Sequence, residues 1–411
     1  MSRRAPSAGP AGSRPPSGEP TRYRAHRASG RVVAIVVALV ALTVVGALAL
    51  AAAVTPGVGE GPAAAVRATA ASSAAATAGA VAAASPPAGT TPAVTVVSGG
   101  DTMGDRGVKA FIAAHGADAV LAGIAPVLRQ ADAAWVNLES PLTPISDPYP
   151  GKDVRFQGDP RLAAALARAG VDVVNVANNH AVDQGRAGLL DSIRRLKAAG
   201  VQVVGGGRDA AAARLPAIVH TSGGATIGFL GWTDIIWPGY EAGAATPGVA
   251  TARTDMTLVT QAIRRLKARV DYVVVCFHWG VEYTDAPIAA QIAEAHAAID
   301  AGADLVIGHH PHVLQGTQLY KGRFIVYSLG DLVFDHYSLA TGQTVLVDAT
   351  LSPHGVRVTL VPAYASADGI PAIVAGAAGR AILLHMQQLS AALGTRLTIR
   401  GDRGYVRSPG A

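Results

Sequence analysis

Four times between residues 160 and 309, a stretch of helical character runs straight into a short, β-branched, almost wholly apolar segment. Residues 160–170 (PRLAAALARAG) lead into 171–177 (VDVVNVA), 188–200 into 201–205, 257–270 into 271–278, and 287–302 into 303–309. A strand that is apolar at successive positions has no solvent face, so both its faces must be covered. Alternation with amphipathic helices is the pattern of a buried, largely parallel sheet. Two earlier runs, 94–98 (VTVVS) and 133–137 (AAWVN), read as strands of the same sheet. The units share no fixed period, which excludes a solenoid. After about residue 310 the segments become hairpin-like, with turns at YKGR and SPHG, so antiparallel strands are expected there. The fold class is therefore α/β: a layered α/β/β/α sandwich, or an α/β sheet with an antiparallel flank. It occupies 94–365, and 366–411 form a C-terminal extension with one helix near 375–393 and a short strand.

Ahead of this domain, residues 32–54 contain 23 consecutive residues without a charge. That is long enough to cross a ~30 Å hydrocarbon core as one transmembrane helix. Seven arginines and one acid, Glu19, lie in residues 1–31. A basic tail before an apolar span places the N-terminus in the cytoplasm and the main domain outside, as a single-pass cell-membrane protein. A cleaved signal peptide is the alternative, although the apolar run exceeds the usual ~7–15 residues. Residues 55–93 are Ala, Thr, Ser, Pro and Gly with almost no large apolar side chain, the composition of a disordered linker.

The net charge of +6 resides wholly in that tail, and 27 basic residues balance 27 acidic ones after it. Net charge thus gives no support to nucleic-acid binding. The single cysteine, Cys276, excludes an intrachain disulfide and a cysteine-based zinc site; it sits in an apolar strand and reads as core.

The apolar segments end repeatedly in polar residues: Asp101; Asn137, Glu139 and Ser140; Asn178, Asn179 and His180; His278 and Glu282; His309, His310 and His312; Asp331. In open α/β sheets, sites form beyond the carboxyl ends of the strands. Three histidines, two carboxylates and an amide oxygen (His278, His310, His312, Asp101, Glu139, Asn179) make an N/O ligand set suited to a divalent metal such as Mn, Fe or Zn. One or two ions fit, since a carboxylate between two metals can bridge them. His180, next to Asn179, would stand at the rim as the acid–base group. Asn137 either binds metal or fixes Glu139. Glu282 reads either as a partner orienting a ligand histidine or as a solvated loop acid. Arg155 either contacts an anionic substrate or is an exposed loop arginine. His309 reads as a surface or capping residue, Arg106 as a helix start, and the tryptophans as packing, with Trp237 and Trp279 facing the cleft.

Seven ordered motifs carry a family resemblance: GD (100–101), NLESPLT (137–143), FQGDP (156–160), ANNH (177–180), HWGVEY (278–283), GHHPHVLQG (308–316) and YSLGDLVFD (327–335). Together they resemble the capsule-synthesis protein CapA family (poly-γ-glutamate synthesis, PgsA-like), of the calcineurin-like metallophosphoesterase superfamily. The resemblance implies a metallophosphoesterase-like sandwich. It implies Asp101, Asn179, His278, His310 and His312 as ligands, Glu139 as the bridging carboxylate and His180 as catalytic acid. It also implies a role in making, exporting or tethering an anionic polymer such as poly-γ-glutamate, beside synthase subunits. Three positions depart from the pattern. Met103 stands where a ligand histidine is usual, Glu139 replaces Asp, and Asp331 stands where Asn is expected. Two activities follow as alternatives: a metal-dependent phosphoesterase-like hydrolase, or a non-catalytic polymer-binding or assembly factor.

Overall fold

The computed structural model describes residues 91–411 except Thr254 and Tyr337. The expected tail, the transmembrane helix over 32–54 and nearly all of the linker lie outside the described residues. Among the described residues, no helix is long and apolar enough to cross a membrane.

In chain order the strands are β1 (Val94–Thr102), β2 (Ala133–Leu138), β3 (Val173–Asn175), β4 (Gln202–Val204), β5 (Gly206–Gly207), β6 (Ala217–His220), β7 (Thr226–Thr233), β8 (Gly248–Val249), β9 (Tyr272–His278), β10 (Leu305–His309), β11 (Leu314–Tyr320), β12 (Arg323–Leu329), β13 (Asp331–Val333), β14 (Gln343–Ser352), β15 (Gly355–Ala365), β16 (Pro371–Ile373), β17 (Thr398–Arg400) and β18 (Arg403–Arg407). Ten of them form one sheet in the order β17-β18-β15-β14-β1-β2-β3-β4, with β13 beside β1 and β16 beside β15. Six form a second sheet, β11-β12-β10-β9-β7-β6, while β5 and β8 pair separately. The half of the first sheet from β1 to β4 is parallel, as is the run β7-β9-β10-β12 of the second. The hairpins β11–β12 and β14–β15 are antiparallel, as their turns foretell. Lys321 and Gly322 both have positive φ (50° and 78°) between β11 and β12, as a two-residue hairpin turn requires.

The continuous apolar runs have a direct cause. Successive side chains point to opposite faces, and here each face meets a different core. Val94 and Val96 of β1, Trp135 of β2, Val274 and Cys276 of β9, and Ile307 of β10 pack between the two sheets. Val97, Val136 and Val174 face outward onto a second core with Ile112, Leu166 and Ile193 from the helices Arg106–His115, Leu162–Ala169 and Gly185–Ala198. Val273, Val275 and Val306 face a third core with Ile263 and Ala295 from the helices Met256–Lys267 and Ala289–Asp300. The layers therefore run helix, sheet, sheet, helix. Each fully buried Val, Leu or Ile contributes roughly 1.5–3 kcal/mol by leaving water, and neither sheet has an apolar face left uncovered along these strands.

Two strands of the six-stranded sheet went unread in the sequence, β6 (AIVH) and β7 (TIGFLGWT); in β7, Gly228 and Gly231 break the apolar run. A Cβ on Gly228 would stand 2.8 Å from Leu266, and one on Gly231 would stand 2.1 Å from Asn175 Oδ1. The glycines are there because neighbours approach closely, not because the strand ends. The C-terminal extension is also no appendage: β16, β17 and β18 belong to the ten-stranded sheet, and the helix Gly376–Ala392 packs Ile382, Leu383 and Met386 into the core between the sheets.

Candidate metal centre

The strand ends named from the sequence converge. Asp101 (end of β1), Glu139 (just past β2) and Asn179 (after β3) come from the first sheet. His278 (end of β9), His310 and His312 (after β10) come from the second. Asp101, Glu139 and His278 are fully buried, and Asn179, His310 and His312 are nearly so. The β1 register slips against β2 between Ser98 and Asp101, and against β13 between Asp101 and Thr102. Such irregularities re-aim side chains beside sites. Gly100 permits the approach, since a Cβ there would lie 2.0 Å from the Gly330 carbonyl.

Two ligand groups share one carboxylate. Glu139, His278 and His310 bring ligand atoms within 4.8 Å of one another, and so do Asp101, Glu139 and His312. Glu282, on the exposed rim, forms a third such group with His310 and His312. His278 Nε2 lies 2.7 Å from Asn179 Oδ1 and 3.4 Å from Glu139 Oε1. His312 Nε2 lies 3.9 Å from the same Glu139 oxygen. Both oxygens of Glu139 are buried without any hydrogen-bond partner, as is Nδ1 of His310. An unpaired buried carboxyl costs free energy unless a proton or a cation accompanies it. Burial, together with the charge of Asp101, pushes the Glu139 carboxyl well above its usual range. Burial holds His278 well below the usual imidazole value and His310 down to about 3. His312 differs: burial opposes its protonation, but Asp331 and Glu139 hold it well above the usual imidazole value. An orphaned carboxyl beside two neutral imidazoles, one of them with an unpartnered nitrogen, is a donor set that fits a divalent ion.

The surrounding residues fix these groups. Asn137 donates to Asp101 Oδ1 at 2.7 Å and stands 3.2 Å from His278 Nδ1, while its own Oδ1 accepts from Asn175 at 2.8 Å. It thus orients Asp101 and His278 rather than Glu139. Asp331 Oδ1 lies 2.8 Å from His312 Nδ1. His309 is not a surface residue: it is fully buried, its Nδ1 is 3.1 Å from Asp101 Oδ1 at ion-pair distance, and its ring meets Trp135 edge-on. Burial opposes ionisation of Asp101, but His309, His278 and His312 hold its carboxyl below the ordinary range. His310 and His312 have φ of 96° and 57°. Non-glycine residues in this region carry strain that clusters at functional sites. Met103 is fully buried in the outer core, its Sδ facing the Asp105 amide at 2.8 Å, and it supplies no nitrogen or oxygen ligand.

A cleft of about 600 Å³ opens above the centre, lined by Arg106, Lys152, His180, Trp237, Glu282 and Tyr283 among others. Arg155 does not line it; the exposed guanidinium donates to the Tyr149 carbonyl at 3.1 Å. Arg106 takes the wall position instead, paired with Asp335 and stacked over Phe156 and Phe334. Trp237 faces the cleft as expected. Trp279 is buried, stacked on Phe277 and donating Nε1–H to the Tyr327 carbonyl.

His180 belongs to a network that the sequence did not disclose. Its Nδ1 is 2.6 Å from Asp183 Oδ2, and its ring stacks on Phe156. Asp183 also accepts from Lys152 Nζ at 2.5 Å, from the Tyr240 hydroxyl and from the Phe156 amide, both at 2.8 Å. Lys152 Nζ donates in turn to the Asn179 carbonyl. Burial, with Lys152 alongside, lowers His180 to about 4 despite Asp183. The ring is neutral at neutral pH, donates Nδ1–H to Asp183, and leaves Nε2 free as an acceptor. Nε2 is thus able to accept a proton and holds none of its own to give. Lys152 and Tyr240 lie on loops with no periodic signal; only the spacing of Asp183, three residues after His180, was visible.

The family profile described as bacterial capsule synthesis protein PGA_cap matches residues 95–336, the segment that holds all of these ligands. This chain belongs to that family. The PGA biosynthesis protein CapA of Bacillus subtilis (strain 168) is 35% identical over 257 residues, covering 62% of this chain and 67% of the relative. The capsule biosynthesis protein CapA of Bacillus anthracis is 34% identical over 290 residues, covering 69% and 70%. A probable polyglutamine synthesis accessory protein of Mycobacterium tuberculosis (strain ATCC 25618 / H37Rv) is 32% identical over 213 residues, covering 50% and 56%. The PGA_cap match ends at residue 336, so the C-terminal helix and β17–β18 lie beyond it.

Proposed function

We propose that this chain acts in capsule or poly-γ-glutamate biosynthesis or export as a membrane-anchored, extracytoplasmic PGA_cap protein whose cleft is a metal-dependent, phosphoesterase-like hydrolase site. The observation that carries the hydrolase reading is Glu139. Its two oxygens are buried and unpartnered, and it is shared by two ligand groups. Asp101, Glu139 and His312 would hold one ion; Glu139, Asn179, His278 and His310 would hold another. A bound divalent ion supplies Lewis-acid charge to a phosphoryl oxygen and lowers the pKa of a coordinated water. Asn137, His309 and Asp331 keep the ligand side chains oriented. His180 Nε2, with Nδ1–H anchored on Asp183, accepts a proton in the cleft and returns it to a departing oxygen. The uncharged run 32–54 would be the anchor, with the domain outside the cell.

The second reading is a non-catalytic accessory protein of a membrane synthase. Met103 favours it, because a buried thioether stands where a further ligand is usual and the Asp101 group is one ligand poorer for it. The full-length protein, purified beside a His310→Ala/His312→Ala variant, separates the two. Bound metal lost in the variant, with manganese-dependent hydrolysis of a generic phosphodiester, supports the hydrolase. Bound metal without turnover supports the accessory role. No metal in either protein after reconstitution sinks the metal centre.

A further inference from the structure

At the C-terminal edge of the ten-stranded sheet, one face carries arginines on three neighbouring strands. Arg357 on β15 stands directly opposite Arg407 on β18, and Arg403 on β18 stands directly opposite Arg400 on β17. Tyr405, 40% exposed, lies between the two arginines of β18, flanked by Thr359 and Thr398 on the neighbouring strands. Arg357, Arg400 and Arg407 are exposed and Arg403 is half-buried. The other face of these strands is core, where Val358, Leu360 and Val406 join the C-terminal helix. The arginine face is therefore the one left to solvent.

Like charges directly opposite each other on antiparallel strands are destabilising, and here the arrangement occurs twice in adjacent ladders. None of the four arginines forms an ion pair among the described residues; the paired arginines are others, such as Arg106, Arg168 and Arg323. Of the acids beside them, Asp402 uses Oδ1 to accept from the Gly376 amide. Asp348, on β14 opposite Thr359 and so on the same face, is half-buried, held above its usual range by burial alone, and pairs with none of the four arginines. Residues 366–411 hold five arginines and two aspartates, a net +3 that offsets the 22 basic and 25 acidic residues of 32–365. The face is also set apart from the candidate ligands. β18 lies three strands from β1, about 14 Å at a strand spacing of ~4.8 Å. At its far end Arg357 is level with Thr350, and Thr350 with Thr95, six residues or about 20 Å short of Asp101 along β1.

We propose that this face is a binding site for an extended polycarboxylate chain, separate from the metal centre. Guanidinium groups take carboxylates bidentately. Strands about 4.8 Å apart, with Arg403 and Arg407 about 13 Å apart along β18, present a charged strip rather than a pocket for one small anion. A linear polyanion would neutralise both cross-strand repulsions at once. An anionic membrane surface would call for large apolar side chains among the cations, and Tyr405 is the single large ring on the strip. The choice of a carboxylate polymer rests on the polymer role proposed above; the location of the site does not.

The test uses the full-length protein in detergent, with poly-γ-glutamate as probe and the Arg357→Gln/Arg400→Gln/Arg403→Gln/Arg407→Gln variant beside the His310→Ala/His312→Ala variant. Exposed charge pairs contribute a factor of roughly two each, so the four-arginine variant should bind about tenfold more weakly or worse. The metal-centre variant should bind as wild type, free glutamate should not compete, and added salt should weaken binding. The arginine variant should unfold no earlier than wild type, since it sheds two repulsions. Equal binding by the arginine variant, or wild-type binding to phosphatidylglycerol vesicles but not to the polymer, overturns the proposal. Polymer yield in cells distinguishes the two failures. Yield lost on deleting the gene, with no polymer bound by the purified protein, leaves the biosynthetic role standing and removes this site; yield unchanged on deletion removes the role itself.

Discussion

Lys152 Nζ lies 2.5 Å from Asp183 Oδ1, with both side chains closed off from solvent behind His180. The pair does more than neutralise itself. Lys152 also holds the Asn179 carbonyl, and Asp183 holds the imidazole, so one ion pair fixes a candidate ligand and the neighbouring base together. Replacing Lys152 by Met leaves a buried carboxylate with one cation fewer, which costs about 3–5 kcal/mol when a buried pair is broken. Urea unfolding of Lys152→Met should show a loss of that size. A loss under about 1 kcal/mol would mean that Tyr240 and the Phe156 amide suffice to hold Asp183.

Glu139 should be a liability without metal and an asset with it. Glu139→Gln removes the ionisable group from a site with no partner for it. The metal-free variant should therefore be at least as stable as wild type at neutral pH. Saturating manganese, at about a hundred times its dissociation constant, should stabilise wild type by about 2.7 kcal/mol and the variant hardly at all. Melting curves with and without the metal measure both. Equal stabilisation of the two proteins would remove Glu139 from the site.

Asp331 fixes the ring of His312 through Nδ1. Loss of such a partner typically lowers metal affinity about 10–100-fold, so Asp331→Ala should do so in a chelator competition. Asp331→Asn keeps an oxygen that accepts the same Nδ1–H, and should retain most of the affinity. If Ala and Asn variants lose affinity equally, charge rather than orientation is what Asp331 contributes.

On the far side of the second sheet, Glu294 of the helix Ala289–Asp300 meets Asp234, just past β7. Burial and Asp234 push the Glu294 carboxyl up to about 9. A carboxyl whose pKa is raised on folding stabilises the protein fully below its unfolded value, and that contribution fades as pH rises through the folded value. Stability should therefore decline from near pH 4.5 up to about pH 9, over the interval between the ordinary glutamate value and the folded one. Glu294→Gln should flatten this decline and raise the melting temperature at pH 8. A slope unchanged in the variant would locate the titration elsewhere.

The sheet layers and the convergence of the candidate ligands were legible because both follow from pattern. Apolar runs with no solvent face required two covers, and most of the runs ended in residues able to bind metal. What escaped lacked pattern. β7 was hidden by Gly228 and Gly231, whose reason is the proximity of Leu266 and Asn175, residues far away in sequence. Lys152 and Tyr240 sit on loops, where side-chain direction follows no period. His309 was misjudged because, of three histidines within four residues, the alternation of β10 turns this one inward against Asp101 and Trp135. The arginine face was invisible in the net charge, since strand pairing, not composition, brings Arg357 next to Arg407.

The candidate ligands divide evenly between the two sheets: Asp101, Glu139 and Asn179 on one side, His278, His310 and His312 on the other. An ion held among them would act as a rivet through the sandwich, closing a chain loop from residue 101 to residue 312. Cross-links that close long loops gain the most from chain entropy. Metal removal should then loosen the seam between the sheets as a whole, speeding exchange of amides in β9 and β10 that lie well below the cleft floor. Co-expressed halves divided near residue 222, an exposed turn between β6 and β7, should find each other more readily when the metal is present.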